Sequence, residues 1–159
     1  MYITHTEYAD LYTPVENFDI LCYEACRQID RLTTGIDGVK KLKIAFPVDE
    51  DAITAVKYCT AKIINFLAQI QEAEKSASLG RGFVQTENGV QGKAISSVSS
   101  GNESISYAST SSQKTAIDTA MADASAKDSM IRSMIREYLS GVADANGVNL
   151  LYMGRYPRV

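Results

Sequence analysis

DEDAITAVKYCTAKIINFLAQIQEA, residues 49–73, decides the fold. It follows Pro47, and the Asp49 carboxylate suits the unpaired N–H groups of a helix start. Ile53, Val56, Thr60, Ile63, Leu67 and Ile70 then recur at steps of three and four, the spacing of one face of a helix of about six turns. Cys59, Ile64 and Phe66 form a second row beside the first. An apolar sector this wide predicts packing against more than one neighbour.

Upstream, the spacing predicts a second long helix over about 17–33. Asn17 stands at its cap, Phe18, Leu21, Cys22, Ala25, Ile29 and Leu32 lie on one face, and Gly35 stops it. A short opening helix is expected from Thr4 to Tyr12, because Thr4 and Glu7 have capping-box spacing. Between the two long helices, residues 34–48 make a long connection by the standard of helical hairpins, about 15 residues. There Val39, Leu42, Ile44 and Phe46 alternate with other residues, which reads as a short strand or an extended strap. Lys40, Lys41 and Lys43 read as a solvated loop.

Downstream, the glycines of residues 74–93 predict a loop, and Gly89 and Gly92 lack the Lys-Ser/Thr of a phosphate loop. Residues of about 94–108 predict a serine-rich β-hairpin that turns at Ser100-Gly101-Asn102, with Ile95, Val98, Ile105 and Tyr107 as its apolar positions. Such a hairpin is marginal alone and needs a surface to lean on. Residues 109–127 read as an Ala/Ser-rich linker or weak helix. A last helix is expected over about 128–140, closed by Gly141 and followed by an apolar tail that is either docked on the core or waiting for a partner. The expected fold is mainly α: a small helical bundle (core helices about 17–33, 49–73 and 128–140) with a protruding β-hairpin and an extended C-terminal tail. One domain over 1–159 comprises a helical core 1–75, loop and hairpin 76–108, linker 109–127, last helix 128–140 and tail 141–159.

The 159 residues are 45% hydrophobic with a net charge of −3, enough apolar content for a core and no basic surplus of the kind nucleic-acid binders show. No apolar run approaches the roughly 20 residues of a membrane span, and Glu7 and Asp10 do not suit a secretory leader. Three cysteines without framework spacing favour a reducing compartment. Catalytic candidates are few. His5 is the only histidine, and a surface role fits it better than a Ser-His or Cys-His pair. Cys22, Cys26 and Cys59 lack a zinc knuckle and read as core. Asp49, Glu50 and Asp51 suit a helix start better than an acid/base pair. The expectation is a protein without catalytic, metal or cofactor residues. A small helical DNA-binding regulator is a more distant alternative, but it requires a basic recognition helix, and the 128–140 segment carries only Lys127, Arg132 and Arg136 in or beside it.

Four passages together resemble the head–tail connector (adaptor) family of long-tailed bacteriophages, in the branch of Gram-positive phages and prophages. They are Tyr2-Ile3-Thr4 with Glu7-Tyr8; Phe18, Leu21, Ala25, Ile29-Asp30 and Leu32-Thr33; Val56-Lys57 through Ile64 to Leu67; and the serine hairpin (Ile95-Ser96-Ser97, Ser104-Ile105-Ser106-Tyr107) with a late helix ending Tyr138-Leu139 and a Gly147–Gly154 tail. The resemblance implies a non-enzymatic virion protein at the neck, assembled in the host cytoplasm. It implies a twelvefold homo-oligomeric ring below the portal protein that extends the DNA channel and docks a stopper or tail-completion protein. DNA passes through such a ring without sequence-specific binding, and no membrane is involved. By the same resemblance, Leu150, Leu151, Tyr152, Met153, Arg155 and Tyr156 are candidates for portal docking, and the hairpin residues Ile95, Val98, Ile105 and Tyr107 for contacts between subunits. Another phage neck or tail-completion protein is the alternative within that setting.

Overall fold

A computed structural model describes residues 1–79, 81–86, 89–99, 104–107 and 116–157. The protein is mainly helical. Its elements are α1 (His5–Ala9), α2 (Phe18–Thr33), α3 (Lys41–Ile44), α4 (Glu50–Leu79), β1 (Arg81–Thr86), β2 (Gly89–Ser99), β3 (Ser104–Tyr107), α5 (Ala116–Ala122) and α6 (Ala124–Leu139). They cluster into two compact units, Met1–Ala68 with Ala124–Val159, and Gln69–Asp123. The late helix thus belongs with the N-terminal helices.

In the first unit, α2 packs against α3 and α6. Phe18, Leu21, Cys22, Ala25 and Ile29 are buried along α2, as its spacing predicts, and Ile131, Ile135 and Leu139 are buried along α6. On the part of α4 in this unit, Val56, Cys59, Thr60, Ile63, Ile64, Phe66 and Leu67 are all buried, while Ile53 at the start of the stripe is half-buried; Ile70, farther along the helix in the second unit, is buried too. The Thr60 hydroxyl donates to the Val56 carbonyl at 2.7 Å, which lets a polar residue sit inside the apolar row.

The helix starts follow local chemistry. The Ala52 N–H donates to the Asp49 carboxylate at 3.0 Å, as expected of a cap. Asn17 occupies the cap position of α2 at φ 59°, yet its side chain makes no capping bond. Its carbonyl accepts the Ile20 and Leu21 N–H groups instead.

At α1 the capping box is complete: the Glu7 N–H donates to the Thr4 hydroxyl and the Thr4 N–H to the Glu7 carboxylate. The Glu7 carboxyl is lowered from 4.5 to about 2, first by the Lys57 hydrogen bond and then by the Thr4 N–H. A lowered folded pKa stabilises α1 above the unfolded value, and that contribution is lost as pH falls from 4.5 toward about 2. Both partners are more than one-third exposed, so solvent keeps the effect small. In that pH window the α1 amides are expected to lose protection, their exchange measured by NMR rising relative to the intrinsic rate at the same pH. Glu7→Gln should show the faster exchange already at neutral pH; indifference of α1 to both changes would contradict the pairing.

Several expectations give way to the structure. Residues 39–46 do not form a strand or an extended strap. Lys41–Ile44 close one helical turn, Leu42 turns inward and Ile44 outward. The lysine cluster is not a solvated loop, because Lys41 is fully buried. The expected loop over 74–93 is replaced by the end of α4, which runs six residues past Ala73, and by β1 and the start of β2. Gly82, Gly89 and Gly92 hid these strands, since glycine weakens the period-two signal. The linker over 109–127 contains α5 and the first turn of α6; its residues 109–115 lie outside those described.

In the second unit, β1 pairs antiparallel with β2, Arg81 opposite Ala94 through Thr86 opposite Gly89. β2 pairs antiparallel with β3, Ile95 opposite Tyr107 and Val98 opposite Ile105, with a register irregularity between Ile95 and Ser97. The turn expected at residues 100–102 lies outside the described residues.

Candidate functional site

The densest set of long-range polar contacts in the first unit surrounds the C-terminal segment, and it begins with Lys41. Glycines at positive φ set its course: Gly141 at 79° turns the chain out of α6, and Gly147 at 74° turns it back. Between them the Asp144 carboxylate accepts the N–H groups of Asn146 and Val148, each at 2.9 Å, an Asx-type arrangement that fixes the reversal. An isolated bridge joins Ala143 to Asn149. The reversal drives Leu150 into the core, where it is fully buried.

Lys41 grips the main chain on both sides of Leu150. Its ammonium donates to the carbonyl of Asn149 at 3.1 Å, that of Leu150 at 3.0 Å and that of Tyr152. It also lies 5.6 Å from the centre of the Tyr152 ring. Three donors meet three acceptors, which is the full capacity of an ammonium group. Burial lowers the Lys41 pKa from the usual lysine range, opposed by the charges of Asp144 and Asp37.

Beyond Tyr152 the chain crosses residues 35–37 as a strap. The Ile36 N–H donates to the Met153 carbonyl at 3.1 Å. Tyr156 anchors the end: its N–H donates to Asp37 at 2.8 Å and its hydroxyl to Asp144 at 2.7 Å, and that hydroxyl accepts from the Asn146 amide at 2.8 Å. The Tyr156 N–H holds the Asp37 carboxyl below its ordinary value. Gly35 is required by this crossing and not by a helix stop, since a Cβ there would stand 2.7 Å from the Gly154 carbonyl oxygen. Gly35→Ala is expected to cost about 1–3 kcal/mol and to speed amide exchange at Ile36. Urea unfolding and exchange mass spectrometry measure the two; an unchanged midpoint would mean that the strap is not pressed on this position.

The docked segment revises the tail expected from sequence. It is not extended: Leu150 belongs to the core and Leu151 is half-buried. Of the six candidate docking residues, Tyr152 and Met153 are 51% and 57% exposed, Arg155 is exposed, and Tyr156 is half-buried in its clamp. The hairpin candidates Ile95, Val98, Ile105 and Tyr107 lie in the second unit and enter only through their backbone register.

The N-terminus is held by a second cluster. The Tyr2 hydroxyl donates to Asp30, which also lies 3.4 Å from the Lys43 ammonium. Burial first, and then Asp30, raise the Tyr2 phenol well above its ordinary value. Asp30, noted in sequence only as part of a family pattern, is thus a buried acceptor that joins residue 2 to α2 and α3.

His5 is exposed and meets Phe18 edge-on at 5.0 Å. The three cysteines are free thiols. The hydrogen bond between Cys22 and Cys26, one turn apart, raises the first thiol, which burial raises further, and lowers the second. Burial pushes Cys59 up to about 12. Among the described residues, no group of three or more His, Cys, Asp or Glu is placed to hold a metal ion. Among them, too, no helix is long and apolar enough to cross a membrane. No protein-family model matches the chain, and neither a curated protein nor a solved structure does.

Proposed function

We propose that the protein is a head–tail connector of a long-tailed bacteriophage, a structural ring subunit that sits below the portal, extends the DNA channel and docks a stopper or tail component. The observation that carries this reading is the ordered run of four family-like passages along one chain. They fall in turn on α1 and the residues just before it, on α2, on α4, and on the β2–β3 and α6 segments with the tail beyond them. Two further features support it. On the outer side of α2, Ile20 and Tyr23 are one turn apart and 65% and 67% exposed, an apolar pair that a subunit contact would cover. The sheet order β1-β2-β3 leaves different strands at its two edges among the described residues, and edges invite pairing with another chain. Head-to-tail contacts that join unlike surfaces close into rings.

In this reading the hairpin of about 94–108 projects toward the adjacent subunit, and Tyr152, Met153 and Arg155 form the exposed part of the portal-docking surface. A net charge of −3 suits a channel through which DNA slides without adhering.

Solution mass across concentration, with negative-stain images of the same fractions, tests the proposal. For a 17.3 kDa subunit a twelvefold ring weighs about 208 kDa. Annular particles of closed symmetry, formed alone or on addition of the cognate portal, are the expected result. A chain that stays monomeric both alone and with the portal would overturn it.

A further inference from the structure

We propose that Asn146 is a site of spontaneous deamidation, and that the modification releases the Tyr156 end of the C-terminal strap. This inference does not rest on the connector reading. Asparagine is among the thermolabile residues, and its side-chain amide is attacked by the backbone nitrogen of the next residue. Asn146 and Gly147 are both exposed, and a glycine puts no side chain beside that nitrogen. Gly147 sits at φ 74° in the turn closed by its own N–H to the Asp144 carbonyl at 2.9 Å. Opening this one surface bond frees the nucleophile.

Hydroxide removes the Gly147 amide proton. The nitrogen then bonds to the Asn146 side-chain carbonyl carbon, the carbon–nitrogen bond of the side-chain amide breaks, and ammonia departs. Water opens the resulting five-membered imide at either carbonyl, leaving aspartate or its isomer with the chain rerouted through the side chain. No electrons are exchanged with another species.

The consequence arises from the clamp. The Asn146 amide nitrogen donates to the Tyr156 hydroxyl, which donates to Asp144. A carboxylate in place of the amide accepts only. It would set a second negative charge beside Asp144, around a phenol with one proton to give. The rerouted isomer also lengthens the main chain between Asp144 and Val148, whose mutual hydrogen bonds define the turn. Either product removes one of the three hydrogen bonds that hold Tyr156 and sets charge repulsion against a second, that to Asp144, leaving the N–H bond to Asp37.

The full-length protein, incubated at mildly alkaline pH, is expected to gain one mass unit located at residue 146 by tandem mass spectrometry. Fragment mapping separates this from the other Asn-Gly pair, Asn88-Gly89. The converted fraction, isolated by ion exchange, should be cut by trypsin after Arg155 several-fold faster than fresh protein, with unchanged far-ultraviolet circular dichroism. Asn146→Asp should reproduce the faster cut, and Asn146→Gln should block the conversion. No gain at 146 in the folded protein, over a period that converts the same residue in urea, would overturn the site. Conversion with an unchanged cutting rate would overturn the link to the strap. If Asn146→Asp fails to fold, the isolated converted fraction decides alone.

Discussion

Replacing Lys41 with methionine is expected to destabilise the protein by about 2–6 kcal/mol: the Leu150 and Tyr152 carbonyls lose their partner at about 1–3 kcal/mol each, while the Asn149 carbonyl keeps the Tyr152 N–H. The ammonium serves three main-chain carbonyls within four residues, those of Asn149, Leu150 and Tyr152. Methionine fills nearly the same aliphatic volume, so the loss isolates the polar contribution from cavity formation. A loss of this size is a large share of the roughly 5–15 kcal/mol available to a domain. Urea unfolding followed by circular dichroism gives the difference. Lys40→Met is the control: Lys40 is exposed, and a surface change of this kind shifts stability by about 0.5 kcal/mol or less. Arginine is no conservative substitute at position 41, because its planar fork does not match three carbonyls converging on one point. If the Lys41 and Lys40 variants behave alike, the ammonium is solvated and the strap is held by Leu150 and Tyr156 alone.

The contrast between Lys41 and Ile63 shows how far the sequence could be read. Helical periodicity reports which face of a helix is apolar, so the buried rows of α2 and α4 were legible within a residue or two at their starts. The capping box at Thr4 was legible for the same reason: its partners lie within one turn. Lys41 was not. Its acceptors lie more than one hundred positions away, and nothing about a lysine between two other lysines marks it as buried. The apolar tail posed a choice between core and partner, and periodicity is silent there because the segment is neither helix nor strand. The nearest clue was the Asp144-Ala145-Asn146-Gly147 run, whose turn chemistry sends Leu150 back to the core. From sequence Gly35 reads as a helix stop, while its close approach to Gly154 depends on a chain crossing that no local pattern encodes. Asp30 stood inside a family-like pattern without a reason; its bonds to Tyr2 and Lys43 supply one.

Ile63→Ala is expected to lower stability by about 2–5 kcal/mol, the range for truncating a fully buried aliphatic side chain. Ile63 has no exposed surface and lies near the middle of the apolar stretch of α4, with Thr60, Ile64 and Leu67 buried around it. Part of the cost is lost transfer free energy, and the rest is the cavity, since neighbours on a rigid helix relax only partly. Helix propensity acts in the other direction, because alanine favours helix over β-branched isoleucine by a few tenths of a kcal/mol; that is too little to reverse the sign. Ile20→Ala gives the matched comparison, being the same substitution at an exposed helical position. There the propensity gain faces little lost burial, so the monomer should be unchanged or slightly stabilised, while ring formation, if α2 meets a neighbour through this face, should weaken. Urea unfolding of both variants, with the solution mass of Ile20→Ala, separates the two roles. A large drop at Ile20 in the monomer would place that face inside the fold, and a negligible drop at Ile63 would mean that α4 does not bury the stripe on which the architecture depends.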